Sequence, residues 1–253
     1  MVTLLALRLF ADWRENREQR TEYRKLSSVF CILFSVLCLL FSENIMAEEG
    51  VIRILAMGDS TTAGTPFFRS PVEAPPDGSG DKEAPYTHWL GDGREDRMVF
   101  NRGVAGERTD EIFERMKKDV PVLKPHVVII LAGVNDLYQG HSTIRVENRL
   151  EEMYQFTADN KLLTIACSIL PYNTDSSDTT REKIAQVNRW IRTYSEKHAI
   201  FFCDTAQAVE TPGQPGRLSS TQDGLHPDKA GYQKMGERVK TILEESLNSF
   251  NYK

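Results

Sequence analysis

The sequence LAMGDSTTAG, residues 55–64, carries an apolar segment directly into a Gly-Asp-Ser turn. The apolar run around it begins at residue 51 as VIRILAM and is short, rich in β-branched and aliphatic residues, and almost continuous in its hydrophobicity. A continuous apolar run indicates a strand that is covered on both faces, as in a parallel sheet, whereas a half-exposed strand alternates. The segment therefore predicts a central parallel strand that ends at Ser60, whose role depends on partners elsewhere in the chain.

Four further short apolar runs predict four more strands: MVFN at residues 98–101, VVIILA at 127–132, LLTIACSIL at 162–170 and IFFCD at 200–204. Segments with apolar residues at helical spacing predict helices after Thr109 and over Thr143–Asn160, Thr180–His198 and Asp228–Leu247. Parallel strands joined by helices require right-handed crossovers, which place helices on both faces of the sheet. The predicted fold class is therefore α/β, a three-layer α/β/α sandwich.

Three long segments between the predicted elements have the composition of loops: residues 64–97, 171–179 and 205–222. Loops of this length in a compact domain are more often functional or mobile than incidental. Four aromatic residues fall in the first segment: Phe67, Phe68, Tyr86 and Trp89. They are candidates for a sugar-stacking platform or an acyl-contacting lid, and local packing of the loop is the alternative.

The composition limits the possible partners and cofactors. The chain has 253 residues, 40% of them hydrophobic, which suits one domain with a terminal appendage. Its net charge is −5 and no basic cluster stands out, so a nucleic-acid partner is not expected. Metal-ligand spacings such as C-x-x-C or H-E-x-x-H do not occur, so no metal site is expected. Cys167 and Cys203 lie in predicted strands, where cysteine is usually a small core residue.

The first 47 residues predict a signal peptide or an N-terminal extension, followed by one domain over residues 48–253. The apolar stretch Val29–Phe41 follows two basic residues, as in a signal peptide, and is shorter than the roughly 20 residues that span a bilayer. Cleavage near Ala47 would export a mature chain without a stable membrane span, to the periplasm or outside the cell. If Met46 is instead the true start, the protein is cytoplasmic.

Chemically useful residues follow the ends of four predicted strands, where open α/β sheets bind their ligands. They are Ser60 after the first strand, Gly103 and Gly106 after the second, Asn135 and Asp136 after the third, and Asp223 and His226 beyond the fifth. Because the carboxyl ends of parallel strands meet at one edge of a sheet, we expect these residues to lie together. Each motif is weak alone, since Gly-Asp-Ser is also ordinary turn chemistry. Their order along the chain favours the catalytic interpretation.

These residue types suit acyl transfer. A serine hydroxyl is a poor nucleophile until a histidine, oriented by a carboxylate, takes its proton. Ser60 could therefore act with His226 and Asp223, which are close enough in a loop to lie side by side. The oxyanion that develops during acyl transfer needs preorganised donors. Three candidates are the backbone N–H of Ser60, the side-chain amide of Asn135 and the N–H of Gly106, which is accessible because glycine has no Cβ.

Four blocks, GDSTTAG, GVAGERT, GVND and DGLHPD, occur in the order of one enzyme superfamily. The chain resembles the SGNH, or GDSL, hydrolases over nearly the whole predicted domain. The resemblance implies a flavodoxin-like five-stranded parallel sheet of order 2-1-3-4-5 and a triad of Ser60, His226 and Asp223. It also implies an oxyanion hole formed by Ser60, Gly106 and Asn135.

Two acidic residues are expected to support this site rather than to react. The resemblance makes Asp59 structural, not the acid of the triad, and Asp136 is expected to brace its own loop. Position 61 is Thr, where many members of the superfamily carry Leu or Ile, although Thr also occurs there in carbohydrate acetylesterases. Thr109 is a candidate cap for the following helix, and His141 is close enough to the Asn135 loop to line the site.

The predicted function is a serine esterase that hydrolyses a carboxylic ester through an acyl-enzyme, with no metal and no organic cofactor. The expected partner is a small-molecule or glycan ester, such as an acetylated carbohydrate or a short-chain ester. A lysophospholipase or thioesterase is the nearest alternative. The residues leave the acyl length, the alcohol and the oligomeric state open.

Other functional classes fit the residues less well. A flavodoxin-like electron carrier would use the first loop for the phosphate of FMN, with Tyr138 and Tyr172 flanking the flavin, but leaves Asn135 and DGLHPD without a role. A non-hydrolytic carbohydrate-binding protein of the same fold would not need four intact motifs. A classical α/β-hydrolase is excluded because its Gly-x-Ser-x-Gly motif would need glycine at position 62, which is Thr.

Overall fold

The structure, a computed structural model, describes residues 50–171, 173 and 178–250. The predicted signal peptide, its cleavage near Ala47, the alternative start at Met46 and Tyr172 lie outside the described residues, so the expectations for them stay predictions. The chain divides into two units, Met1–Gly50 and Val51–Lys253, and the fold below is that of the second. Within the described part of the chain, no helix combines the length and apolarity needed to cross a bilayer.

The strands of the described chain are β1 (Ile52–Gly58), β2 (Phe68–Arg69), β3 (Ser79–Gly80), β4 (Arg97–Gly103), β5 (Val127–Leu131), β6 (Leu163–Cys167), β7 (Phe201–Cys203), β8 (Glu210–Thr211) and β9 (Gln214–Leu218). The helices are α1 (Ser60–Ala63), α2 (His88–Gly91), α3 (Thr109–Leu123), α4 (Val134–Tyr138), α5 (Thr143–Asp159), α6 (Asp178–Lys197), α7 (Thr205–Val209) and α8 (Lys229–Phe250).

The main sheet has the strand order β4-β1-β5-β6-β7, and every neighbouring pair in it is parallel. Counted along the chain, this order is 2-1-3-4-5, so the predicted sheet and the three-layer α/β/α class are confirmed. Gly58 at the end of β1 is level with Gly103 on one side and Leu131 on the other. The ends of the three strands that precede Ser60, Gly106 and Asn135 therefore stand side by side.

Two hydrophobic layers cover the sheet, which explains the continuous apolar runs. Along β1, Ile54 and Ala56 belong to the layer that contains residues of α8, whereas Leu55 and Met57 belong to the layer that contains residues of α3, α5 and α6. Successive side chains of a strand point to opposite faces, so both faces must be apolar when helices pack on each. All four side chains are fully buried.

Helix α1 lies directly against the ends of β1 and β4 because two glycines permit the approach. A Cβ on Gly103 would lie 2.0 Å from the backbone nitrogen of Ala63, and one on Gly58 would lie 2.1 Å from the hydroxyl oxygen of Thr62. Neither contact is possible without moving α1. The sequence positions 58 and 103 thus determine how closely the helix that begins with Ser60 sits on the sheet.

Several predicted boundaries were wrong in informative ways. The strand predicted over 162–170 ends at Cys167, and beyond it the backbone of Ile169 pairs with the side chain of Asn188 through two hydrogen bonds, of 2.7 and 2.8 Å. The segment 205–222, predicted as a loop, contains α7 and the β8–β9 hairpin. The segment 64–97 likewise contains the β2–β3 hairpin and α2. The hairpin strands are too short to show apolar periodicity.

The two cysteines of the sheet behave as core residues. Cys167 in β6 and Cys203 in β7 are register partners on neighbouring strands, and both are buried free thiols. The contact with Cys203, together with burial, raises the pKa of Cys167 well above its ordinary value. The prediction that they contribute small apolar side chains rather than a disulfide is confirmed.

Candidate functional site

Ser60 lies where β1 turns into α1, at the carboxyl edge of the sheet. The Asp59 carboxylate accepts a hydrogen bond from the backbone N–H of Thr61, at 2.9 Å, and so caps the first turn. The helix ends at Gly64, which adopts a left-handed conformation with φ of +106°. A helix this short leaves its first N–H groups without an intrahelical acceptor. Ser60 therefore presents a hydroxyl and a backbone N–H at the same place.

His226 and Asp223 are brought to Ser60 by the loop between β9 and α8. Nε2 of His226 lies 2.8 Å from the Ser60 hydroxyl oxygen, and Nδ1 lies 2.7 Å from Oδ2 of Asp223. The other carboxylate oxygen of Asp223 accepts the backbone N–H groups of Leu225 and His226, each at 2.8 Å. With a proton on Nδ1 donated to Asp223, Nε2 is left to accept the proton of the Ser60 hydroxyl.

The ionisation of Asp223 suits this arrangement. Its partial burial would raise the pKa, but hydrogen bonds from His226 and from the backbone N–H groups of His226 and Leu225 outweigh burial and lower it to about 2. The carboxylate is therefore charged at any ordinary pH. A permanent negative charge beside Nδ1 favours the tautomer that leaves Nε2 facing Ser60.

Asn135 and Gly106 line the same cavity as Ser60. Asn135 is the second residue of α4, and its side-chain nitrogen donates to the backbone oxygen of Glu107 at 2.8 Å, which fixes the amide. Gly106 is exposed in a turn closed by the N–H of Glu107 on the carbonyl of Val104, and its φ is +80°. A Cβ there would meet nothing within 4 Å. The positive φ, rather than contact with other described residues, favours glycine at this position.

The two supporting acids are both deeply buried. Asp136 accepts the backbone N–H of Thr109 at 2.9 Å and its hydroxyl at 2.8 Å, so it joins the start of α4 to the start of α3. The prediction that Thr109 caps α3 was wrong: Arg108 occupies the cap position, and Thr109 is the first helical residue. Burial raises the pKa of Asp59 to about 6, against opposing hydrogen bonds from Thr61 and the positive potential of His226.

A cavity of about 270 Å³ opens beside Ser60 and His226. Seven apolar residues form much of its wall: Ala105, Leu131, Ala132, Val134, Ile169, Leu170 and Leu225. Tyr138 also lines it and is 61% exposed, so it marks the side that faces solvent. Among the described residues of the wall, none is Lys or Arg. The cavity therefore suits an uncharged group better than an anionic one.

Other residues singled out in the sequence lie elsewhere. Tyr86 and Phe68 are buried, Trp89 packs against Gly236 of α8, and Phe67 packs against the core, so these aromatic residues pack into the fold and none of them lines the cavity. His141 is not among the residues that line the cavity. Nδ1 of His126 accepts the backbone N–H of Arg53 at 3.0 Å, a structural contact. Within the described part of the chain, no three His, Cys, Asp or Glu side chains could together hold a metal ion.

Sequence reasoning missed three contributors to this site. Ile169 and Leu225 line the cavity, and Glu107 supplies the backbone oxygen that orients Asn135. Leu225 lies inside the DGLHPD block, so its position along the chain was an available signal, whereas Ile169 lies within the segment 162–170 that was predicted as a strand. The role of Glu107 depends on its carbonyl, which no side-chain motif reveals.

Residues 56–234 match the GDSL-like lipase/acylhydrolase family, and this range contains all four blocks described above. The chain belongs to this family. An acetylxylan esterase from Geobacillus stearothermophilus is 24% identical over 147 residues, covering 53% of this chain and 66% of that enzyme. The chain thus matches slightly less than two thirds of that relative's length.

Solved structures agree with the family in fold. A GDSL-like lipase from Bacteroides thetaiotaomicron superposes with a TM-score of 0.61 at 23% identity, covering 82% of this chain and 97% of that one. A carbohydrate acetylesterase family member from Sinorhizobium meliloti gives a TM-score of 0.61 at 14% identity, covering 78% of this chain and 100% of that one. At these identities the likeness shows the fold.

Proposed function

We propose that this protein is a serine hydrolase of carboxylic esters, with Ser60 as nucleophile, His226 as general base and Asp223 as the acid that orients His226. One observation carries the proposal: a continuous chain of two hydrogen bonds, of 2.8 and 2.7 Å, runs from the Ser60 hydroxyl through His226 to Asp223. Membership of the lipase/acylhydrolase family supports the same reaction class.

The proposed reaction has two halves. In the first, the Ser60 oxygen attacks the ester carbonyl while Nε2 of His226 takes the hydroxyl proton, and a tetrahedral oxyanion forms. Collapse expels the alcohol, which receives that proton from His226, and leaves an acyl group on Ser60. In the second, His226 takes a proton from water, the resulting hydroxide attacks the acyl-enzyme, and the acid leaves as Ser60 regains its proton.

We propose that three donors stabilise the oxyanion of both halves. They are the backbone N–H groups of Ser60 and Gly106 and the side-chain amide of Asn135. Loss of one such donor typically costs about 10²- to 10³-fold in kcat. The bond from Asn135 to the Glu107 carbonyl supports this assignment, because it occupies one amide hydrogen and fixes the direction of the other.

The proposed substrate is an uncharged small-molecule or glycan ester, with an acetylated carbohydrate or a short-chain ester as the first candidate. The acetylxylan esterase relative and the absence of Lys and Arg among the described residues of the cavity wall support this choice. A lysophospholipase or thioesterase type of acyl hydrolase is the second candidate. It is favoured by the apolar wall, since each buried methylene of a longer acyl chain gains about 0.8 kcal/mol.

The function is tested with wild type, Ser60→Ala and Ser142→Ala on p-nitrophenyl esters of two to sixteen carbons and on acetylated xylan. Ser142 caps α5 and does not line the cavity, so it is the matched control. We expect Ser60→Ala to lose turnover while its melting temperature is unchanged, and Ser142→Ala to retain turnover. Turnover by folded Ser60→Ala would contradict the mechanism. A preference for chains above eight carbons would contradict the carbohydrate substrate.

A further inference from the structure

Arg115, in the middle of α3, binds two backbone carbonyls and one carboxylate at the carboxyl edge of the sheet. Its guanidinium donates to the carbonyl of Gly58 at 3.2 Å, to the carbonyl of Arg102 and to the carboxylate of Glu107. Gly58 is the last residue of β1, Arg102 is the next-to-last residue of β4, and Glu107 lies in the loop after β4. The Arg115 side chain is 12% exposed.

Two of these three contacts, those with Gly58 and Glu107, lie close in the chain to a proposed oxyanion donor. Gly58 is two residues before Ser60, and Glu107 directly follows Gly106. The backbone oxygen of Glu107 also accepts the side-chain nitrogen of Asn135 at 2.8 Å. The Arg115 side chain therefore contacts both the end of the strand before Ser60 and the residue that follows Gly106 and orients Asn135. It does not line the cavity itself.

We propose that Arg115 is the positioning residue of the oxyanion hole; this inference rests on the proposed function. A guanidinium is planar and carries five N–H donors in a fixed fork, so it can bind two carbonyls and a carboxylate in one rigid arrangement. A lysine ammonium is a compact charge on a flexible stem and cannot reproduce that geometry. Arg115 fixes the distance between the Ser60 turn and the Gly106–Glu107 loop.

The charges around Arg115 are balanced, so the side chain is stable where it lies. Glu107, 20% exposed, forms its ion pair, and a second carboxylate, Asp119, lies 4.0 Å from Nη1. Asp119 is itself bound by Arg102 at 2.7 Å and so is not free to replace Glu107. If Arg115 is removed, Glu107 loses its ion-pair partner and the carbonyls of Gly58 and Arg102 each lose one donor. The N–H of Val104 on the Gly58 carbonyl, at 3.2 Å, then remains as a single backbone bond between the loop that carries Gly106 and β1.

Arg97 provides a matched control, because it lies at the start of β4, whereas Arg115 binds near the end of that strand. It too is a buried arginine that binds one carbonyl, of Leu90 at 3.1 Å, and one carboxylate, of Glu244 at 2.5 Å. It begins β4, whereas the site lies beyond the end of β4. Arg97 therefore supports the fold in the way that Arg115 does, without touching the supports of the oxyanion donors.

The test compares Arg115→Lys with Arg97→Lys in the full chain by melting temperature, kcat and KM on p-nitrophenyl acetate. A misplacement of about 1 Å among catalytic groups costs about 100-fold, so we expect Arg115→Lys to lose between ten- and a hundredfold in kcat with little change in KM. The melting temperature of Arg97→Lys should fall by about as much as that of Arg115→Lys, but its kcat should stay at the wild-type value. Wild-type kcat in Arg115→Lys, or an equal loss in Arg97→Lys, would overturn the proposal.

Two further readouts separate positioning from general support. Guanidinium ion at a non-denaturing concentration should restore kcat to Arg115→Ala, and should not change Arg97→Ala. Amide hydrogen exchange in peptides covering residues 103–109 should accelerate in Arg115→Lys and stay at the wild-type rate in Arg97→Lys. Exchange does not depend on ester hydrolysis. If the wild type hydrolyses no ester, the proposed function fails, while unchanged exchange over residues 103–109 overturns the role of Arg115.

Discussion

The two halves of the candidate site are fixed in different ways. Ser60 follows a strand that is paired on both sides, and its neighbour Asp59 is 1% exposed. His226 and Asp223 lie in the loop before α8, where the Asp223 side chain is 36% exposed and is bound by N–H groups of its own loop. The sheet that folds the molecule thus fixes one half, whereas a few local hydrogen bonds fix the other.

This difference separates stability from activity. Moving Ser60 requires the displacement of a strand end buried between two layers, which is coupled to global unfolding. Moving His226 requires the loss of hydrogen bonds in an exposed loop, and such segments open at much lower free energies. Substitutions in the loop should therefore change activity at nearly constant stability, and substitutions beside Ser60 should change stability itself.

The largest expected effect is that of Asp223→Asn. Asparagine can still accept the backbone N–H groups of the loop, but its amide would donate to Nδ1 of His226 and favour the tautomer with the proton on Nε2. The wrong tautomer lowers kcat by about 10⁴-fold in serine proteases, and we expect a loss of 10³- to 10⁴-fold here. The melting temperature should fall only slightly, because the Asp223 carboxylate is partly exposed and its contribution to stability is screened by solvent. Steady-state kinetics and thermal unfolding measure both quantities.

Asp81→Asn is the matched control for that substitution. The Asp81 side chain is also 36% exposed, and it pairs with a cation, Lys229, outside the cavity. It should keep wild-type kcat. If Asp223→Asn instead lowers the melting temperature strongly, the loop contributes to global stability and the distinction between the two halves is wrong.

The next effect concerns the half of the site that the sheet fixes, Asp59 and Ser60, and appears in the pH dependence of stability. The pKa of Asp59 is raised to about 6 by burial, so between pH 4 and 6 the native state keeps a proton that the unfolded state has lost. Stability therefore falls as pH rises through this window, by about 3 kcal/mol for a shift of about two units. Asp59→Asn has no proton to lose and should lack this slope. Urea unfolding at intervals from pH 4 to 7 measures both proteins.

Asp223 does not obscure that comparison, because its pKa is shifted in the opposite direction and its effect on stability falls in a lower pH range. Its pKa is lowered to about 2, so its contribution to stability is complete above its ordinary pKa near 4 and is lost as pH falls toward 2. Stability curves for wild type and Asp59→Asn that run parallel from pH 4 to 6 would contradict the assignment of the buried proton to Asp59.

The same difference explains what the sequence could predict. A continuous apolar run predicts a parallel strand, and the ends of parallel strands meet, so the convergence of Ser60, Asn135 and Gly106 on one edge follows from local patterns and order. Asp223 and His226 were assigned to the same edge from their residue types and their place beyond the fifth strand, and the resemblance implied the same triad. A loop without periodicity has no local signal for its direction. For the loop that carries Asp223 and His226, the resemblance to known motifs provides information that local periodicity does not.

The contacts of Arg115 and Ile169 could not be predicted from the sequence. Arg115 reaches Gly58 because α3 packs on the sheet at one particular height, and Ile169 lines the cavity because Asn188 of α6 binds its backbone. Both depend on the register of a helix against the sheet, which arises from packing of many side chains together. The signal peptide over residues 1–47 stays a prediction.

The smallest expected effect is that of Thr221→Val, which weakens the loop half without removing a reacting group. The hydroxyl of Thr221 lies 3.3 Å from Oδ1 of Asp223 and accepts the backbone N–H of Gly224 at 2.9 Å. Asp223 would keep its two backbone donors, so the loss should be that of about one hydrogen bond, roughly 1 kcal/mol or fivefold in kcat. The melting temperature should not change.

Thr221→Ser keeps the hydroxyl and should restore wild-type kcat, which separates the hydrogen bond from the loss of a methyl group. Additivity is the sharper measurement. If the Thr221 hydroxyl acts through Asp223, the two effects are not additive, and Thr221→Val should lower kcat in wild type but have almost no effect in Asp223→Asn, where His226 is already in the wrong tautomer. If Thr221→Val lowered kcat as much as Asp223→Asn does, the Thr221 hydroxyl alone would fix the loop. The idea that several local hydrogen bonds hold His226 in place would then be wrong.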